Sequence, residues 1–317
     1  MIFSVSVIIP AYNVEPFIET AIVSALIQPE VVEVIVVDDG STDKTLPIIK
    51  ALQLSDPRIK IYNHPNNCNK GRSATRNVGI QKANGNYIAF LDADDYYLEN
   101  RFSNDKKIIE DGNNVDGVYN AVGFHFYREL SPLEEGTFKL NTVSQKIKPK
   151  ALFDAVISSK YGYLHLNGLT VKKAVFDTIG FFNESLLVAE DSDIIYKMAL
   201  KCSLESGSIA VPLAKRGIHD SNVFNRDDLY RKYNIKLYES IISWSCKNGI
   251  SIENIDSTLK WLWVFKFKEK NSLGKDIVYW ASLFLNNQIL LFTYLSVKYF
   301  PIVRLRKELF PFLYRKN

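Results

Sequence analysis

The 317-residue chain predicts an α/β fold with a parallel, doubly wound sheet and a helical C-terminal extension. Three observations lead there. Apolar, strand-like runs alternate with helical periodicity through residue 95. Two of those runs end in carboxylates, Val37-Asp38-Asp39-Gly40 and Phe90-Leu91-Asp92-Ala93-Asp94-Asp95. That is the carboxyl end of a strand, where open α/β sheets hold ligands. From Arg226 the pattern is helical to the end.

The first strand is Val5–Ile9. Asn13 to Pro16 reads as a turn, with Pro16 placed to open a helix, and Ile18, Ala21, Ile22, Ala25 and Leu26 follow at helical spacing. Val31–Val37 is a second buried strand. Ser41 or Thr42 is expected to cap the next helix. Arg58–Tyr62 is the third strand, a polar loop runs from His64 to Gly71, and a helix covers Arg72 to about Ala83. Tyr87–Leu91 is the fourth strand. Beyond it, Val115–Tyr127 predicts one or two strands, Ser131–Lys148 a loop, Leu166–Val171 a strand and Lys172–Ile179 a short helix. A turn at Gly180–Glu184 precedes a helix over Asp191–Cys202, and Ile209–Pro212 reads as a final strand. This divides the chain into a domain over 1–220, with one half to about 95 and the other over 96–220, and a helical region over 221–317.

Charge narrows the function. Residues 1–220 carry 23 Lys and Arg against 27 Asp and Glu, a net −4, whereas residues 221–317 carry 16 against 8, a net +8. A nucleic-acid binder would be basic throughout. An acidic half that uses a metal and a basic half that meets an anionic surface fit better. Three widely spaced cysteines, Cys68, Cys202 and Cys246, form neither a disulfide framework nor a zinc motif and suit a reducing cytoplasm. The start, Met-Ile-Phe-Ser-Val, lacks a cationic leader segment and reads as the approach to the first strand. Residues 277–297 hold no charge, but Asn286-Asn287-Gln288 interrupts them, so a packed or interfacial helix is expected and not a membrane span. Residues 298–317 set six cations against Glu308 and interleave them with aromatics. That composition suits a peripheral anchor at the inner face of the plasma membrane, and a helix docked on the domain is the plainer alternative.

The chemistry gathers in four places. Asp92, Asp94 and Asp95 repel one another and want a hard divalent cation, Mg²⁺ or Mn²⁺, which also takes oxygens from a diphosphate. A carboxylate at the end of the second strand can accept the imide N–H of uracil or thymine; since Ser41 and Asp43 suffice to cap the next helix, Asp38 and Asp39 are surplus to it. Asn69-Lys70-Gly71-Arg72-Ser73-Ala74-Thr75-Arg76 places cations at a helix start that favours phosphate. It is neither a Walker A sequence nor a dinucleotide fingerprint. Glu190-Asp191-Ser192-Asp193 opens a helix, where acids commonly oppose the dipole, but where a carboxylate can also serve as a general base. A lone histidine such as His219 is more often structural, yet its imidazole could complete a metal site begun by Asp94.

Together these segments resemble family 2 inverting glycosyltransferases with the GT-A fold. The resemblance spans roughly residues 4–220 and rests on Ser-Val-Ile-Ile-Pro-Ala-Tyr-Asn, Val-Asp-Asp-Gly-Ser-Thr-Asp, Gly-Arg-Ser-Ala-Thr-Arg-Asn-Val-Gly-Ile, Phe-Leu-Asp-Ala-Asp-Asp and Ala-Glu-Asp-Ser-Asp. Thr75 stands where the family more often has Ala. The resemblance implies a Rossmann-like mixed sheet and metal-dependent transfer from a nucleotide-diphosphate sugar, a UDP-sugar first, to a saccharide or lipid-linked saccharide of a bacterial surface polysaccharide. It implies that Pro10 and Tyr12 flank the base and that Asp39 meets its imide edge. Asn69, Arg72, Arg76 and Asp92 would hold the rest of the donor. Asp94, with His219, would bind the metal. Asp191 would be the base, with Glu190 shaping the acceptor site. A homo-oligomer is left open. Two other classes compete. A nucleotidyltransferase would carry a Gly-rich basic N-terminal loop, which Ala11-Tyr12-Asn13-Val14 is not. A non-catalytic sugar-nucleotide-binding scaffold would show a damaged metal or base motif, and here both are intact.

Overall fold

The computed structural model describes residues 2–317 apart from 112–113, 132–137, 139, 221, 223–226 and 315–317. Parts of the expected 131–148 loop, the Ser221 position of the His-Asp-Ser-Asn segment and the last three tail residues therefore lie outside the described residues. The chain divides into two compact units, Met1–Arg226 and Asp227–Asn317.

In the first unit β1 (Val5–Ala11), α1 (Ile18–Leu26), β2 (Val31–Asp38), α2 (Thr45–Ser55), β3 (Ile59–Asn63), α3 (Arg72–Lys82) and β4 (Tyr87–Phe90) alternate as expected. β1 and β2 are almost wholly buried, which is why they read as unbroken apolar runs. β5 (Tyr96–Tyr97), α4 (Ser103–Asp111), β6 (Gly117–Tyr119), β7 (Val122–Phe126), α5 (Pro149–Ile157), β8 (Leu169–Lys172), α6 (Val175–Ile179), α7 (Glu190–Lys201), β9 (Leu204–Ser206) and β10 (Ala214–Ile218) follow. The main sheet has seven strands in the order β3-β2-β1-β4-β8-β6-β9. β3, β2, β1 and β4 are parallel, but β8 runs antiparallel to both β4 and β6. β9 pairs with β6 in parallel, so the sheet is mixed through β8.

Strand order reverses about β1, which pairs with β2 on one side and β4 on the other. The crevice beyond the carboxyl ends of these strands is the place for a ligand. The register aligns Ala11 with Asp38 and Ile8 with Phe90, so the carboxylates after β2 and β4 emerge along one edge. α3 lies close on β1: a Cβ at Gly79 would come within 2.4 Å of Ile8 Cγ2.

A second sheet, β5-β10-β7, sits past the Asp92–Asp95 turn. Its β10 covers Ala214–Ile218 and replaces the strand expected at Ile209–Pro212, where the chain bends. The expected cap on α2 also moves. Asp43, and neither Ser41 nor Thr42, accepts the Thr45 N–H at 2.9 Å.

The second unit is helical: α8 (Asp227–Lys247), α9 (Ile252–Phe267), α10 (Leu273–Asn286), α11 (Tyr294–Lys298), α12 (Pro301–Arg304) and α13 (Arg306–Leu309), with 3₁₀ turns at Gln288–Phe292 and Pro311–Tyr314. The uncharged 277–297 stretch is thus broken after Asn286, and among the described residues no helix is long and apolar enough to cross a membrane. Trp280 and Tyr299 are each 1% exposed and stack at 5.9 Å. The Lys298 ammonium donates to both Asp256 oxygens at 2.8 and 2.6 Å, and the Tyr299 hydroxyl donates to Asp256 Oδ1 at 2.8 Å. The start of the basic tail is therefore part of this core and cannot be trimmed at Lys298 without cost.

Candidate active site

The loops after β1 and β2 are tied together. Asn13, at a positive φ of 52°, receives the Thr42 N–H on its side-chain oxygen at 2.8 Å and donates its own N–H to Ser41 Oγ at 3.0 Å. This fixes Tyr12, whose half-exposed ring stands beyond Pro10 at the mouth of the crevice. Asp38 and Asp39 are both buried. Asp38 accepts the Ser41 N–H at 3.2 Å and the Asn63 amide at 3.3 Å. Asp39 accepts the Lys70 and Gly71 N–H groups at 2.6 and 2.9 Å. Neither is surplus to the turn, and Asp39 joins the β2 loop to the start of α3. Asp39 Oδ2, which takes only the Gly71 N–H, keeps a second lone pair for a further donor. Asn69, just ahead of α3, is exposed.

Asp94 and His219 come together across 125 residues: His219 Nε2 lies 2.8 Å from Asp94 Oδ2. β4 supplies the first, and the end of β10 the second. The approach of β10 is possible because residue 217 is glycine. A Cβ there would sit 2.2 Å from the Asp94 carbonyl oxygen and 2.7 Å from Tyr127 Cε2. Phe17 stacks on the His219 ring at 4.9 Å and meets Tyr127 at 4.7 Å, which fixes the imidazole plane. Asn222 Nδ2 donates to Asp94 Oδ2 at 3.3 Å. One hard oxygen and one imidazole nitrogen converge while both side chains stay partly open to solvent, at 26% and 17%. This donor set suits Mn²⁺ or Mg²⁺ with positions left for diphosphate oxygens.

A second group, Asp92, Asp95 and His165, also brings its ligand atoms within 4.8 Å of one another. Most of its hydrogen bonds run inward to neighbouring residues. Asp92 Oδ1 receives Arg76 at 2.6 Å, and Asp95 receives the Gly217 N–H at 2.7 Å and the Asn167 amide. Burial, aided by Asp94 and Asp92, pushes the Asp95 carboxyl well up, and burial with Arg216 pushes His165 down to about 4. We read this group as the support beneath Asp94. Arg101 and Asp105, both fully buried, pair at 2.8 Å, and Arg101 holds the Asn167 carbonyl at 3.1 Å, so the support is anchored in turn. Sequence reasoning missed His165, Asn167 and Arg101. The only signal for the first two was a polar alternation, His165-Leu166-Asn167, ahead of Gly168.

Arg76 links the two halves of the site. It is 3% exposed and donates to Asp92 Oδ1 at 2.6 Å and to Glu190 Oε1 at 2.9 Å. Burial opposes its charge, but Asp92 and Glu190 more than offset this and raise its pKa. Burial would raise Asp92, yet Arg76 and His165 bring it down to about 2. Burial and Asp191 push Glu190 up. Arg76, expected to hold the nucleotide, is thus committed to two carboxylates and braces the site from within. Arg72, 3.6 Å from Glu190 and 39% exposed, is the cation left facing the crevice. Glu190, expected to shape the acceptor site, is buried against both arginines. Ala189 adopts a left-handed conformation, φ 64°, immediately before α7. That strain, of the order of 1 kcal/mol for a non-glycine residue, sets the entry of Glu190 and Asp191. Asp191 is partly exposed, and its Oδ1 accepts the Ser192 N–H at 2.7 Å.

A mixed sheet with a carboxylate turn after its fourth strand and an acid-tipped helix joined to that turn through Arg76 has the GT-A arrangement. Residues 6–155 match the family model "Glycosyl transferase family 2". The chain belongs to glycosyltransferase family 2 through this domain. It is 39% identical over 144 residues to an uncharacterized glycosyltransferase of Haemophilus influenzae, covering 45% of this chain and 54% of that protein. It is 30% identical over 222 residues to one of Rickettsia typhi, covering 70% and 66%. The first matches thus span about half or less of the relatives' length. Among solved structures, Staphylococcus aureus TarS 1-349 superposes with a TM-score of 0.59 at 18% identity, over 84% of this chain and 72% of that one. The same protein in complex with UDP-GlcNAc gives 0.62 at 19% identity, over 84% and 73%. At that identity the likeness concerns the fold.

Proposed function

We propose that the protein transfers a sugar from a UDP-sugar to a hydroxyl of a saccharide or lipid-linked saccharide acceptor, with inversion and with Mn²⁺ or Mg²⁺ at Asp94 and His219. The observation that carries this is the convergence of Asp94 Oδ2 and His219 Nε2 at 2.8 Å in the crevice beyond β1 and β4. The complex of TarS with UDP-GlcNAc supports the donor class. Tyr12 and Pro10 flank the uracil ring. Asp39 uses its remaining lone pair toward the imide N–H, while Asn69 and Arg72 face the ribose and phosphates. The bound ion supplies positive charge to the diphosphate leaving group.

Asp191 holds the other role. It takes the proton of the acceptor hydroxyl as that oxygen attacks the anomeric carbon from the face opposite the diphosphate. The bond to the diphosphate oxygen breaks, UDP leaves with the electron pair, and configuration inverts. Asp191 suits this because it is open to solvent while Glu190 and Arg76 hold the helix tip that carries it. A surface polysaccharide is the proposed destination. The basic residues of 298–317 bring the enzyme to the inner face of the plasma membrane.

The test is a thermal-shift panel of nucleotide sugars with Mn²⁺ and with EDTA. A ligand at 100 Kd adds about 2.7 kcal/mol to native stability. UDP-sugars are expected to stabilise the protein only with the metal. Stabilisation by nucleoside triphosphates alone would overturn the assignment in favour of nucleotidyl transfer.

A further inference from the structure

The helical unit carries an apolar face that its own fold does not cover. Trp280, Leu283, Phe284 and Leu290 fill the inner side of α10 and the turn that follows. The outer side is apolar as well: Val278 is 70% exposed, Leu285 62%, Ile289 56% and Phe292 91%, followed by Tyr294 and Val297 on α11. A helix apolar all round is buried or meets lipid. The polar residue that breaks the run does not relieve this, because Asn287 is buried and donates to the Leu283 carbonyl at 2.8 Å. Ser282, Asn286 and Gln288, small or uncharged, are the polar residues exposed among them.

Charge brackets the face. Lys275 is exposed at one end. At the other, Lys298 is paired with Asp256 and Arg304 lies over Trp263 and Tyr299, so both turn toward the unit. Arg306 and Lys307 remain exposed. α10 packs on the 288–292 turn and on α12, and α12 packs on α13, so these groups lie on adjoining elements. The region 221–317 carries a net +8, which repels a second copy and attracts an anionic surface.

We propose that this outer face, with Phe292 at its tip, is the membrane-docking surface, and that it seats in the headgroup region of an anionic bilayer. α10 has 14 residues, too short to cross, since a span needs about 20. The proposal deepens the membrane contact put forward above. It assigns the apolar insertion to residues 278–297 and leaves Arg306 and Lys307 to supply charge. Apolar burial and cation attraction add at such an interface.

The test is sedimentation of the full chain with vesicles of phosphatidylcholine alone or with phosphatidylglycerol added, beside two double variants, Leu285→Ser/Phe292→Ser and Arg306→Gln/Lys307→Gln. Thermal melting confirms the fold, and light scattering reads the oligomeric state. The wild-type chain should bind anionic vesicles in a salt-sensitive way and ignore neutral ones. The apolar variant should bind at least about tenfold more weakly at unchanged melting temperature. Unchanged binding of that variant, with loss in the charge variant, would overturn this inference and leave the tail reading standing. A wild-type chain that ignores anionic vesicles would overturn both. A dimer that falls apart in the apolar variant would show that a second copy covers the face, and would also overturn it.

Discussion

Arg76→Met tests the brace between the turn after β4 and the tip of α7. The substitution keeps most of the volume and removes the charge between Asp92 and Glu190, 2.6 and 2.9 Å away. Removing one partner of a buried ion pair costs about 3–5 kcal/mol, because the carboxylates left behind lose their compensation. The lowering of Asp92 from 3.8 to about 2 corresponds by itself to roughly 2 kcal/mol at 1.36 kcal/mol per pH unit. For a unit of this size each kcal/mol moves the midpoint by about 2–4 °C, so the melting temperature should fall by roughly 6–20 °C at pH 7. The pH dependence has a definite sign. Glu190 is already raised above 4.5, so its contribution to stability is fully present below the unfolded value and is lost as pH rises through the folded one. Without Arg76 it rises further. The deficit of the variant should therefore shrink as pH falls from 7 toward 4.5, where Glu190 takes up a proton at less cost. Differential scanning calorimetry across that range is the assay. A deficit that stays constant with pH, or a melting temperature that does not move, would refute the reasoning.

Other outcomes follow from single contacts. Asp191→Asn should keep donor binding and lose transfer by roughly 10²–10⁴ in rate, the usual share of a general base; collapsed donor affinity with a normal rate at saturation would make it a binding residue. Gly217→Ala places a Cβ 2.2 Å from the Asp94 carbonyl. It should cost about 1–3 kcal/mol of stability and roughly 10–100-fold in Mn²⁺ affinity, as read by electron paramagnetic resonance. Wild-type affinity there would mean that β10 yields freely. Tyr299→Ala removes a ring that is 1% exposed and stacked on Trp280; the helical unit should lose about 3–5 kcal/mol in denaturant unfolding.

Residues 1–95 were the legible part of the fold. β1, β2 and β4 are short, central and buried, so their sequences are nearly pure apolar runs, and the carboxylates that follow stand out against them. β10 was misplaced because Ala214-Lys215-Arg216-Gly217-Ile218 lies in a small, half-open sheet and carries two cations. The apolar Ile209-Ala210-Val211-Pro212 nearby looked more like a strand, although Pro212 has no N–H to give to a ladder. α4 and α5 have nine residues each, too few turns for a clear helical period. The antiparallel direction of β8 leaves no trace in four residues. In the site, the acidic segments 92–95 and 190–193 stand out in the sequence because several carboxylates cluster in each. The hydrogen bonds of Arg76 do not stand out, since an arginine near a helix start looks the same whatever it faces, and its two carboxylates lie 16 and 114 residues away. His165 and Asn167 acquire meaning only when Arg101 pins their loop beneath Asp95.

The most direct test of the central claim is Mn²⁺ binding in the presence of UDP, followed by electron paramagnetic resonance in the wild-type chain and in Asp94→Asn, His219→Ala and His165→Ala. The account predicts that wild type binds the ion with UDP, that Asp94→Asn and His219→Ala each lose at least about tenfold in affinity, and that His165→Ala, which lies in the supporting group, loses less than either. Wild-type affinity in Asp94→Asn and His219→Ala together with loss in His165→Ala would place the ion at Asp92, Asp95 and His165 and contradict the account.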